Sequence, residues 1–375
     1  MSEAPEVVSS DPASFPWSVF HQRHPVLIER IVAALPRPAA QRAALEALLA
    51  ETVDGVLTGP GRPWPWWRPE YAGRRWTDVP FLWAESYFYR RLLDAVEFFV
   101  AGPWQGIDPF GPIKGAELAG DAVDQELAAL DDLVGRPIEQ QRAALVRSSL
   151  WGNRADLSFQ AGASAGGSGG GLLVDESDVF WSGSAGGLVH LIADNAGREL
   201  LPDLVLLDHL LLTGQAREVV LHVKPHPYYV SDATPSDVLS GIERLGAAPG
   251  VASLSGDRLA EAIRVGTLTV RAHEFFCSPL PYTEMPADLR ADFAPAQLVV
   301  AKGDLNYRRL VEDRHWPATT PFAELTAYFP APVVTLRTLK CDVVVGLPES
   351  TLAKLDTSGE HWRTTGEYAV IQARR

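Results

Sequence analysis

Only five lysines occur in the 375 residues, Lys114, Lys224, Lys302, Lys340 and Lys354, and arginine carries the rest of the positive charge. Three of the five follow apolar runs. Val219-Val220-Leu221-His222-Val223 ends at Lys224, Leu298-Val299-Val300-Ala301 ends at Lys302, and Val333-Val334-Thr335-Leu336 leads into Arg337-Thr338-Leu339-Lys340. A fourth run, Leu188 to Ala193, ends at Asp194-Asn195, while Asp232, Asp304 and Asn306 lie just beyond the other ends. Asp194, Asn195 and Asp232 offer two carboxylates and an amide oxygen, the donor set of a hard divalent cation such as magnesium or manganese. So sparse a set completes its shell with water and a substrate oxygen, often a phosphate. The cation on one side and lysine ammonium groups on the other would balance a phosphate monoester and stabilise charge during phosphoryl transfer.

Each piece has a plainer alternative. Asp194-Asn195-Ala196-Gly197 is also a good strand-to-helix turn with a capping residue, Asp232 could cap the helix after it, and Lys340 could be a solvated strand end. What favours a site is the coincidence of four strand ends with the same chemical character.

Positioning such ends is the work of a parallel sheet. Continuous apolar strands alternating with helices predict strands buried on both faces, and ligands then bind beyond the carboxyl ends, where successive loops converge. The fold class expected is α/β, a three-layer α/β/α Rossmann-like domain over residues 146–375, preceded by a helical domain over 1–145. The apolar spacing in Val26-Leu27-Ile28-Ile31-Val32-Leu35 and in Leu82-Ala84-Tyr87-Phe88-Leu92-Leu93-Val96-Phe99 supports the helical half. Its tryptophans (Trp17, Trp64, Trp66, Trp67, Trp76, Trp83, Trp104) read as packing rather than as a ligand box. Residues 161–171, AGASAGGSGGG, read as a flexible loop or insertion.

Composition narrows the function classes. The formal charge of −14 opposes binding to nucleic acid or to anionic membrane. No apolar run approaches the ~18 residues of a membrane span, and the acidic start lacks the pattern of a signal peptide, so a cytoplasmic location is expected. Cys277 and Cys341 are too far apart for a zinc knuckle or redox pair. The G-x-S-x-G patterns at Gly162-Ser164-Gly166 and Gly166-Ser168-Gly170 have no strong strand before the serine, no Gly-Lys pair exists for a phosphate loop, and His273-Glu274 lacks the second histidine of a zinc protease.

Five stretches together resemble a known family: Trp151-Gly-Asn153-Arg-Ala-Asp156-Leu-Ser, Asp194-Asn-Ala-Gly-Arg-Glu199-Leu, His222-Val-Lys-Pro-His-Pro-Tyr-Tyr-Val-Ser-Asp232, Lys302-Gly-Asp-Leu-Asn-Tyr-Arg308-Arg-Leu and Arg337-Thr-Leu-Lys340. They are similar to the metal-dependent damage-control phosphatases. The Arg-Thr-x-Lys element resembles the sugar-phosphate-acting, acidic residue methyltransferase-like subfamily. Trp83-Ala-Glu85-Ser-Tyr87-Phe-Tyr89-Arg90-Arg91 and Asp108 to Lys114 look like its helical part, so the resemblance covers nearly the whole chain. It implies that Asp194, Asn195 and Asp232 bind the metal (manganese, cobalt, nickel or magnesium). It also implies that Glu199, the segment Asp304-Leu305-Asn306-Tyr307-Arg308 and Lys340 hold a phosphorylated sugar of the fructose 1-phosphate or fructose 6-phosphate type. Asn153 and Asp156 would line the same crevice. Asp194, Asp232 and Lys340 are the expected catalytic groups, with Lys340 and Arg308 as electrostatic clamps. The nucleophile stays open between activated water and an aspartate such as Asp194. The glycine-rich stretch departs from the family pattern.

Two rival readings stand beside the phosphatase. An S-adenosylmethionine-dependent protein carboxyl methyltransferase would leave the metal-type residues without a task, and metal-independent cofactor binding in calorimetry would favour it. A non-catalytic sugar-phosphate sensor would keep the same pocket, and turnover would dispose of it. Oligomeric state is not legible.

Overall fold

The computed structural model describes residues 4–152, 171–359 and 361–375. Seven strands form one sheet: β1 (Gly171–Asp175), β2 (Gly187–Ile192), β3 (Ala216–Val223), β4 (Leu268–Ala272), β5 (Leu298–Lys302), β6 (Val333–Thr338) and β7 (Tyr368–Arg374). Their order is β1-β7-β6-β5-β2-β3-β4. Among the described residues of this sheet only β6 and β7 pair antiparallel; the other pairings are parallel. The α/β class is therefore as expected. The four strands foreseen from their apolar runs are the contiguous centre β3, β2, β5 and β6, buried on both faces. The flanking strands β1, β4 and β7 were not foreseen. β4 and β1 have half-exposed or exposed residues and correspondingly weaker apolar signals.

Helices cover both faces. Leu200–Leu212, the crossover from β2 to β3, buries ten of its thirteen residues because it is wedged between the sheet and its neighbouring helices. Each fully buried leucine there contributes about 1.5–3 kcal/mol of transfer free energy. Pro235–Gly246 begins with a capping box, in which Thr234 and Asp237 satisfy each other's backbone donors, so these two rather than Asp232 cap the helix. The opposite face carries the N-terminal helices up to Phe81–Ala95, whereas Asp121–Ala128 and Ile138–Trp151 pack with Leu200–Leu212 on the first face. One continuous apolar cluster joins Phe20, Ile31, Leu45, Phe88 and Leu92 to Ile192, Val299, Val333 and Val370 of the sheet. The helical segment thus packs directly on the sheet through a shared core.

The tryptophans pack as expected. Trp64, Trp76 and Trp83 are buried, with ring centroids 5.2–5.5 Å from Tyr87 of the helix Phe81–Ala95. Between Gly55 and Pro80 the chain is irregular with two short 3-10 turns, where a helical run was expected. Trp-Pro-Trp-Trp and the glycines there favour turns over helix. The glycine-rich stretch lies outside the described residues except Gly171, which opens β1. Among the described residues no helix is long and apolar enough to cross a membrane.

Candidate active site

The carboxyl ends of β2, β3, β5 and β6 lie along one edge of the sheet, as their parallel pairing requires. Asp194 and Asp232 are 38 positions apart in sequence, and a short backbone zipper brings them together. Lys224 N–H donates to Ala233 O at 2.9 Å, Ala233 N–H to Asp194 O at 3.0 Å, and Ala196 N–H to Ser231 O at 2.6 Å. Asn195 and Asp232 form an isolated antiparallel bridge. The segment after β3 therefore folds back alongside the end of β2 and delivers all three proposed metal ligands to one place. The side chains are aimed by local bonds. Ser231 Oγ donates to Asn195 Oδ1 at 2.7 Å, Asn195 Nδ2 donates to Glu199 Oε2 at 2.7 Å, and Tyr229 N–H donates to Asp232 Oδ2 at 3.1 Å. Lys224 Nζ stands 3.8 Å from Asp232 Oδ1.

Asp194 is buried against the start of the helix Gly303–Leu310. A Cβ at Gly303 would lie 2.0 Å from Asp194 Oδ2, and Gly303 has a φ of +89°. Only glycine allows the helix to begin there with the carboxylate against its backbone. Burial raises the Asp194 pKa to about 7. Lys340 and Lys224 act in the opposite direction, and Asp232 and Glu199 push it further up. The nearby lysines thus leave this carboxylate incompletely compensated, the electrostatic setting in which an added divalent cation is most stabilising. The donors fit a hard cation on chemistry as well, since all are oxygens.

Beside this carboxylate cluster lies a basic one. Arg337 pairs with Asp304 at 2.8–2.9 Å. Burial alone would raise the Asp304 carboxyl, but Arg337, Arg308 and Lys340 hold it below its ordinary value. Arg308 presents one guanidinium edge to Asp313, at 2.7 and 2.8 Å, and its third nitrogen lies 3.7 Å from Glu85 Oε2. Lys340 is exposed, and its charge acts on both Asp194 and Asp304.

Glu85, from the N-terminal helix Phe81–Ala95, is a member of this cluster that sequence reasoning did not place in the site. Its pKa is raised to about 7 by burial, against Arg308, with Asp313 and Asp304 adding to the rise. The available signal was a lone acid among the buried neighbours Trp83, Ala84, Ser86 and Tyr87. Tyr89, one turn on, feels both Glu85 and Asp232. The helical half thus reaches the crevice.

Not every expected residue faces it. The Asn306 amide is fully buried: Nδ2 donates to Lys302 O at 2.7 Å and Ala193 O at 3.2 Å, and Oδ1 accepts from Tyr282 at 2.9 Å. Tyr307 is buried under Arg337, its hydroxyl donating to Gln372 at 3.0 Å. Leu305 packs with Leu82, Tyr228 and Cys277. Side chains 305–307 therefore anchor the helix, and any contact of these three with a ligand falls to backbone amides. Lys302 is bound at 2.6 and 2.7 Å by both oxygens of Asp203, which also accepts from Ser149. It is a structural ion pair, and the expectation that Lys302 balances phosphate charge is corrected: its charge is already matched inside the core. Asn153 and Asp156 lie outside the described residues.

Comparison with known proteins gives this crevice its class. The damage-control phosphatase ARMT1-like domain matches residues 19–355, and the chain belongs to that family. Damage-control phosphatase ARMT1 of Danio rerio is 34% identical over 332 residues, covering 79% of this chain and 74% of the relative. The Homo sapiens protein of the same name is 32% identical, covering 80% and 75%. Membership supports a phosphatase activity. The crystal structure of a DUF89 family protein from Pyrococcus horikoshii shares the fold, with a TM-score of 0.52 at 14% identity over 96% of this chain and 98% of that one.

Proposed function

We propose that the protein is a metal-dependent phosphatase hydrolysing a sugar phosphate of the fructose 1-phosphate or fructose 6-phosphate type, or a related damaged phosphometabolite. The observation that carries this reading is the buried Asp194 carboxylate, held near Asp232 and Asn195 and raised to about 7 where two lysines already act on it. Asp194, Asn195 and Asp232 would hold manganese, cobalt, nickel or magnesium. Bound there, such a cation would neutralise phosphate charge and ease attack at phosphorus.

The remaining roles fall to the chain itself. The helix Gly303–Leu310 begins against Asp194, and a helix N-terminus is a setting that favours a phosphate. Lys340 adds an exposed positive charge at the open side. Arg337 fixes Asp304, and Asp313 fixes Arg308, so neither group needs to reorganise when substrate arrives. Glu199 orients Asn195 through its amide and, with Asp304 and the Arg308 region, is suited to sugar hydroxyls. In this reading residues 1–145 act as a cap on the α/β part, supplying Glu85 to the sugar side. A cytoplasmic setting agrees with the two buried free thiols, Cys277 and Cys341.

The test is phosphate release from fructose 1-phosphate, fructose 6-phosphate and p-nitrophenyl phosphate with manganese, magnesium or chelator, for wild type, Asp194→Ala and Lys340→Ala. Cation-dependent release that disappears in Asp194→Ala supports the proposal. Absence of release under every condition, in a folded protein, would reject it.

A further inference from the structure

A second polar cluster lies inside the fold, away from the phosphate crevice. His190 on β2 and His222 on β3 project from the same sheet face, since His190 is in register with Val220 and Ile192 with His222. Both are buried, and His190 Nδ1 meets His222 Nε2 at 2.8 Å. The helix Ala287–Phe293 crosses above them and brings Asp292. One Asp292 oxygen is taken by Arg271, while the other, Oδ2, stands 3.9 Å from His222 Nε2. Phe293 and Phe276 pack against the imidazoles, with centroids 5.0–5.5 Å away.

Two imidazoles buried among phenyl rings for one mutual hydrogen bond are under-compensated. Among the described residues the outward nitrogens, His190 Nε2 and His222 Nδ1, are buried without a hydrogen-bond partner, so the facing nitrogens, with Asp292, are the donors the cluster offers. The facing nitrogens and the carboxylate oxygen all lie within 4.8 Å of one another.

We infer that His190, His222 and Asp292 form a second metal site, for a zinc-type cation, distinct from the all-oxygen set at Asp194. Two imidazoles and a carboxylate are a common zinc donor set, leaving the fourth position to water. Seating zinc at its usual ~2.0–2.1 Å bond lengths needs the two nitrogens to part by about half an ångström, and the carboxylate oxygen, within 4.8 Å of both nitrogens, to close in by about half to one and a half ångströms. Arg271 holds the carboxylate's other oxygen and so orients it, as partners of metal ligands commonly do. The site is roughly 13 Å from Asp194 along the chain, at about 3.3 Å per residue. It would clamp β2 and β3 to the helix above them.

The experiment uses the full chain carrying Asp194→Ala and Asp232→Ala, which removes the other donor set, stripped with chelator and titrated with zinc against a chromophoric competitor. The expected result is a single zinc per chain and a zinc-dependent rise in melting temperature. Adding Asp292→Asn, at a half-buried helix position that should tolerate it, lowers zinc affinity by at least about tenfold. Adding His222→Phe removes binding, together with the visible absorption of the cobalt-substituted protein. No zinc retained by the doubly substituted chain, or an affinity unchanged by Asp292→Asn, overturns the inference. The second readout holds even if His222→Phe does not fold.

Discussion

Lys302 and Asp194 end neighbouring strands, β5 and β2, on the same edge of the sheet, yet they are used in opposite ways. Lys302 donates to both oxygens of Asp203 and to Glu199 O, and Ser149 donates to the same carboxylate. Asp194 is equally buried, but the charges around it leave its proton affinity raised to about 7. The difference is one of partners: burial raises the Asp203 carboxyl too, but Lys302 meets it directly and the pair is a structural pin, whereas in the proposed reading Asp194 is left to a ligand. Position along the strand does not decide which.

Substitutions at the two ends should separate these uses. Lys302→Ala leaves Asp203 buried without its cation and should cost about 3–5 kcal/mol in urea unfolding. A stability loss below 1 kcal/mol would mean that the pair is not the pin described here. Asp194→Ala should reverse the pattern, with phosphate release falling by about 10²–10³-fold or more while the fold persists. Comparable losses of stability and activity in both variants would erase the contrast.

Gly303→Ala tests the contact between the two ends. A methyl group directed at Asp194 in a left-handed backbone should cost about 1–3 kcal/mol, and cation affinity should fall with it. Retention of both would show that the helix start and the carboxylate are less tightly coupled than their geometry indicates.

The smallest effect concerns pH. Because the folded-state pKa of Asp194, about 7, is above its unfolded value, the folded chain binds more protons in between. Without added cation, the Asp194 contribution makes stability fall as pH rises from about 4 to about 7, then level off. Glu85, also raised to about 7, contributes in the same direction. Thermal melts in chelator should show this slope, reduced in Asp194→Asn, and manganese should restore stability above pH 7. An identical pH slope in wild type and Asp194→Asn would remove Asp194 as the cause.

Several features were legible in advance for physical reasons. The four central strands are buried on both faces, so their runs are continuously apolar and their ends abruptly polar; Asp194, Asn195, Asp232 and Lys340 stood out for that reason. β4 and β1 escaped notice because they are only partly covered. Asn306 and Tyr307 are polar and lie in the segment to which the family resemblance gave a ligand role. A helix, however, turns successive side chains about 100° apart, and it directs these two into packing. Glu85 was invisible as a site residue because its partners, Arg308 and Asp304, lie more than two hundred positions away.

The sequence by itself determined the α/β class, the family and the chemistry available at the strand ends, because apolar periodicity and short motifs are local properties. Only the tertiary structure decided which charges are already matched. Lys302 meets Asp203, Arg337 meets Asp304, and His190 meets His222 through contacts between distant segments. Charge compensation depends on distance and burial, and neither is written in the order of residues.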